Sequence, residues 1–73
     1  MQLDTHKIIQ LSRNKMSEFY LQTGRTISYD KASAEIGISK ATLSRVLVGR
    51  KFDVDTLLRI CTWLEIGVEE VVK

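Results

Sequence analysis

Ala41, Ser44, Arg45 and Val48 fall on one side of residues 40–48 if that stretch is helical, Leu43, Val46 and Leu47 fall on the other, and Lys40 stands at the N-terminal end. Such a rod rests on a core along its apolar side. Along the other it offers cations, a hydroxyl and a methyl. The chemistry open to these groups is recognition rather than reaction. A guanidinium bonds guanine O6 and N7 in a two-pronged way, worth roughly 1–3 kcal/mol of discrimination. Arg45 is therefore the expected base reader; a solvated charge or an ion pair with Glu35 is the alternative. Lys40, at the N-terminal end, suits guanine or a phosphate. Ala41 permits close approach, its methyl against a thymine methyl. Ser39 and Ser44 suit a base edge or a phosphate. Ser39 is also the expected N-cap, and the two roles are compatible because amides at a helix start bind anions.

Phosphate contacts are expected beside this rod. Arg50 and Lys51 follow it on a short loop, although such a pair is also an ordinary solvated turn. Tyr29 and Thr42 carry hydroxyls, and Ser28 stands where free amides collect at the start of the preceding helix. Contacts of this kind position a protein without reading sequence. Each cation adds salt-dependent affinity, because counterions are released.

These side chains need elements to hold them. Asp4 or Thr5 caps a first helix that ends before Gly24, with Ile8, Ile9, Leu11, Met16, Phe19 and Tyr20 as a broad apolar stripe. Ser28 caps a second helix that runs to about Ile36. Gly37 makes a turn and Ile38 plugs it into the core. Ser39 caps the third helix, which Gly49 ends. Asp53 caps a fourth, with Leu57, Leu58, Ile60, Cys61 and Leu64 as its buried stripe. Gly67 breaks it, and a final turn from Val68 to Val71 closes the core. The reading is a compact all-α, five-helix domain spanning 1–73, with its helix-turn-helix at 28–48 and a long N-terminal helix.

Composition agrees. The chain has 73 residues, 44% of them hydrophobic, and no proline. A core of this size supplies only a few kcal/mol of net stability. The net charge of +2 is unevenly placed. Within 25–52, Arg25, Lys31, Lys40, Arg45, Arg50 and Lys51 face only Asp30 and Glu35, a balance of +4. Within 53–73, Asp53, Asp55, Glu65, Glu69 and Glu70 outnumber Arg59 and Lys73 for −3. Such asymmetry orients a small protein toward a polyanion.

Other chemistry is not expected. His6 has no second ligand at metal spacing, so no metal and no cofactor are predicted. Cys61 lies on a buried stripe and reads as a small core residue. There is no catalytic arrangement of Ser, His and Asp and no glycine-rich phosphate loop, so an enzyme is not predicted. No apolar run approaches the roughly 20 residues needed to cross a bilayer. Asp4, His6 and Lys7 interrupt any signal-peptide pattern, and a cytoplasmic protein without a membrane partner is the expectation.

The order I-S-Y-D-K-A-S-A-E-I-G-I-S-K-A-T-L-S-R-V-L-V-G-R-K, then D-T-L-L-R-I-C-T-W-L-E-I-G-V-E-E-V, resembles the phage-repressor/Cro-like (XRE-type) helix-turn-helix family. Ser33, Gly37, Ile38, Leu43 and Val46 match that family's spacing. The resemblance implies a five-helix fold, DNA binding as a dimer, and transcriptional repression. Many members carry Gln where this chain has Tyr29 and Lys40, so operator sequence does not transfer.

A homodimer has a physical motive: two recognition helices about 34 Å apart read a palindrome. Trp63 lies off the helix 4 stripe. It either packs against helix 1 or the final turn, or anchors a dimer contact with Val68, Val71 or Val72. The leading reading is a repressor of this kind. An alternative is an antitoxin of the same fold, with a toxin protein held on helix 1 and the acidic tail. A third is a protein-binding adaptor that has lost DNA binding, against which the retained Lys40, Arg45, Arg50 and Lys51 argue.

Overall fold

Each α-helix starts on the side chain that the sequence offers as its cap. The computed structural model describes residues 2–72. It contains α1 (Thr5–Thr23), α2 (Tyr29–Ile36), α3 (Lys40–Leu47) and α4 (Val54–Leu64), followed by a 3-10 turn at Val68–Val71. Asp4 accepts the Lys7 amide at 3.1 Å, Ser28 that of Lys31 at 3.1 Å, Ser39 that of Thr42 at 3.1 Å and Asp53 that of Thr56 at 2.9 Å. Each bond satisfies one of the free amides of a first turn.

The expected fifth helix is only that turn. The Glu70 amide reaches back three residues to the Gly67 carbonyl at 3.1 Å, and the chain then extends at Val72. One i→i+3 bond closes too little backbone to propagate an α-helix.

Helix ends follow the glycines in three places and depart in a fourth. Gly24, Gly37 and Gly49 take left-handed φ of 73°, 89° and 82°. At α4 the stop falls before the expected Gly67. Glu65 turns left-handed at φ 59°, while Gly67 has an ordinary φ of −80°. The Ile66 amide bonds the Cys61 carbonyl at 3.0 Å and half-buries Ile66 against the core, a Schellman-type closure that outweighs the cost of a non-glycine residue there.

The core is Ile8 from α1, Ile27, Ala32 and Ile36 around α2, Leu43, Val46 and Leu47 from α3, Leu57, Ile60 and Cys61 from α4, and Val71. Leu58 does not join it and is 48% exposed. It lies about 100° round the helix from Leu57, off the face shared with Ile60, Cys61 and Leu64. Burial pushes the Cys61 thiol above its ordinary pKa, with the nearby Glu69 charge adding to the shift.

α1 buries only Ile8 and Ser12 completely. Leu11, Met16 and Phe19 are half-buried, and the far end projects, with Tyr20 53% and Leu21 81% exposed. At its start the chain ends meet: Leu3 pairs with Val72 in a single antiparallel bridge, and the Asp4 amide donates to the Val71 carbonyl at 2.7 Å. Among the described residues no helix is long and apolar enough to cross a membrane.

Gly37 is constrained twice. Its φ is left-handed, and a Cβ there would meet Nη1 of Arg59 at 2.8 Å. Gly37→Ala is expected to lower stability by about 1–2 kcal/mol from the backbone alone. Arg59, held by Asp55 at 2.9 Å, must also swing away. A urea midpoint that does not move would contradict this. Acid has a second effect. The Thr56 hydroxyl and amide hold the Asp53 carboxyl below the ordinary carboxylate range. A lowered folded-state pKa stabilises above the unfolded value and is lost as pH falls through the folded one. The start of α4 therefore loosens below about pH 4, and Asp53→Asn should flatten that part of the stability–pH curve.

Candidate nucleic-acid interface

α3 is two-sided. Leu43, Val46 and Leu47 are no more than 3% exposed. At about 1.5–3 kcal/mol for each large apolar side chain buried, that underside fixes how the helix sits. Lys40, Ala41, Ser44, Arg45 and Val48 face solvent. The rotation that buries the first set turns Ala41, Ser44, Arg45 and Val48 outward, as the spacing requires, while Lys40 is exposed at the open N-terminal end of the helix.

The polar groups fall into three small groupings. At the start of α3, Ser39 caps the helix and its hydroxyl is 2.8 Å from that of Thr42. Lys40 Nζ lies 3.7 Å from Asp30 Oδ2, in the first turn of α2. Further along, Arg45 and Lys51 share a notch of about 110 Å³ with Thr42, Phe52, Asp53 and Thr56. The Glu35 carboxylate accepts the Trp63 indole N–H at 3.2 Å.

The backbone sets these positions. Gly49 takes φ 82° just after α3, and the Arg50 amide returns to the Arg45 carbonyl at 2.9 Å. That turn carries the exposed Arg50 and Lys51 out beside the end of the helix. Ser28 spends its hydroxyl as the α2 cap, and Tyr29 is half-buried against the core. In the sequence Asp30 is only a charge; its place against Lys40 depends on how α2 and α3 pack.

The residues expected at a dimer contact do not form one open patch. Val71 is fully buried, in a 3-10 turn that packs against both α1 and α4 beside the bridge between the chain ends. Its side chain offers no surface to a second copy, which corrects that expectation. Val68 and Val72 are half-buried. Trp63 is half-buried and tied to its own chain, with its indole on Glu35 and Lys15 Nζ 5.5 Å from the ring centroid. Among the described residues no group of three His, Cys, Asp or Glu side chains could hold a metal ion.

Two helices joined through a left-handed glycine, the second clamped below and cationic above, define a helix-turn-helix domain. The family described as the Cro/C1-type HTH DNA-binding domain matches residues 24–73, well over half of the chain, and the chain belongs to that family. The resemblance to the phage repressors is thereby established, and DNA is the ligand that the family defines. α1 lies outside the matched span. No curated protein and no solved structure shows significant similarity to the chain.

Proposed function

We propose that the chain is a sequence-specific transcriptional repressor that binds a palindromic operator as a homodimer through the major groove. The observation that carries this is the division of α3 into a buried Leu43–Val46–Leu47 side and an open Lys40–Ala41–Ser44–Arg45 side. A groove about 12 Å wide admits such a helix, and its outer side chains then meet base edges. In this reading Ser39, Lys40, Ala41, Ser44 and Arg45 read bases. Ser28, Tyr29, Thr42, Arg50 and Lys51 hold the phosphates on either side. Trp63, Val68 and Val72 supply the part of the proposed dimer contact left to them, and the location is cytoplasmic.

Selecting bound duplexes from a random pool tests this. The enriched sites should contain two inverted half-sites about 10 bp apart, centre to centre. Enrichment of a single unrepeated motif would remove the dimer, and no enrichment would remove sequence-specific repression. The antitoxin reading keeps one observation in its favour, the uncovered apolar end of α1 at Tyr20 and Leu21. Co-purification of a second polypeptide, released by charged substitutions at those two residues, would support it.

A further inference from the structure

Among the described residues, Asp30 is the one carboxylate brought against the cationic start of α3 by a contact of its own. Its Oδ2 lies 3.7 Å from Lys40 Nζ, and the two side chains are 75% and 62% exposed. A pair so open contributes little to folding. Its place in the first turn of α2 suits the helix dipole. Yet Ser28 and Tyr29, beside it, are proposed phosphate contacts, and phosphate offers a carboxylate no donor. On DNA the donors within the major groove are base amino groups, on cytosine N4 and adenine N6.

The pair matches one of these. Lys40 supplies donors and Asp30 an acceptor, side by side. The major-groove edge of a G·C pair presents the complement: acceptors at guanine N7 and O6, then a donor at cytosine N4. O6 and N4 are hydrogen-bonded to each other, so they lie about 3 Å apart, close to the spacing of the two side-chain atoms. We infer that Asp30 and Lys40 together read one G·C base pair in each half-site, Lys40 on guanine O6/N7 and Asp30 accepting from cytosine N4. This rests on the DNA-reading function proposed above. It assigns a specificity role to Asp30, an acidic residue that on charge alone weakens DNA binding. The carboxylate also draws the Lys40 ammonium away from phosphates, so the lysine contributes to sequence preference more than to general affinity.

The test uses the full chain and the duplex enriched from the random pool. Wild type, Asp30→Ala and Lys40→Gln are titrated against that duplex, against duplexes with each base pair of the half-site replaced in turn, and against a scrambled duplex. Wild type should lose about 10-fold or more when one particular G·C pair is replaced, and both variants should lose less than about 2-fold at that same position. On the scrambled duplex Asp30→Ala should bind more tightly than wild type, and Lys40→Gln more weakly. Circular dichroism confirms that both surface variants remain folded. If Asp30→Ala keeps the full penalty at every position, or the two variants relax different positions, the paired readout is overturned. If wild type fails to distinguish the enriched duplex from the scrambled one, the proposed function itself falls, and this inference with it.

Discussion

Leu43→Ala should leave the domain largely unfolded at 25 °C, whereas Leu58→Ala should be nearly neutral. Leu43 is 1% exposed and lies under α3; Leu58, on α4, is 48% exposed. Truncating a buried leucine costs about 2–5 kcal/mol through lost transfer energy and the cavity left behind. A single core in a chain this short supplies only about 3–5 kcal/mol in all. The loss therefore consumes most or all of the stability. At Leu58 the side chain already meets water, and surface changes usually stay within about 0.5 kcal/mol. Helical circular dichroism and urea midpoints for both variants decide the matter. Equal losses would mean that α3 is not clamped through its apolar side, and the outward display of Lys40 and Arg45 would lose its cause.

Arg45→Ala should bind the enriched duplex about 5- to 150-fold more weakly while keeping its helix content. The range follows from the roughly 1–3 kcal/mol that a two-pronged guanine contact is worth. Folding should not suffer, because Arg45 is exposed. Binding to a scrambled duplex should fall much less, since a base reader contributes little where the base is wrong. Arg45→Lys should not restore the preference, because an ammonium lacks the planar fork. Fluorescence anisotropy on both duplexes measures this. The notch that Arg45 shares with Lys51 gives the opposite outcome a clear meaning. An equal fall on both duplexes would make Arg45 a phosphate clamp beside Lys51.

The helix starts were legible in the sequence because each is a local event. A Ser or Asp three residues before the amide it accepts needs no knowledge of the rest of the chain, and Asp4, Ser28, Ser39 and Asp53 all act in that way. The left-handed glycines at 24 and 37 were legible for the same reason. The family resemblance was also carried by local spacing, from Ser33 through Val46. What escaped depends on distant partners. The bridge between Leu3 and Val72 joins the two ends of the chain. No local pattern announces it, and it stands next to the buried Val71. Glu65 adopts a conformation usually left to glycine because Ile66 has a core to pack against, so Gly67 was the wrong signal for the end of α4. Leu58 misled because a run of apolar residues on α4 is wider than the strip its neighbours cover.

At the candidate interface the division of α3 was legible from period alone. The pairings were not. The contacts of Lys40 with Asp30 and of Trp63 with Glu35, and the notch that Arg45 and Lys51 both line, each join different elements. They arise only once α2, α3 and α4 have packed. Trp63 shows the consequence: off the α4 stripe it could pack within the chain or meet a partner, and its indole donates to Glu35.

The most direct measurement is the set of backbone amide NMR shifts of the labelled chain as the enriched duplex is added. The largest changes should fall on the start of α2 and along α3 to the following loop, from Ser28 to Tyr29 and from Ser39 to Lys51, while the end of α4 and the 3-10 turn stay nearly still. Changes concentrated instead on Tyr20 and Leu21 of α1, or on Glu65 to Glu70, would show that the cationic side of α3 is not the surface that meets DNA.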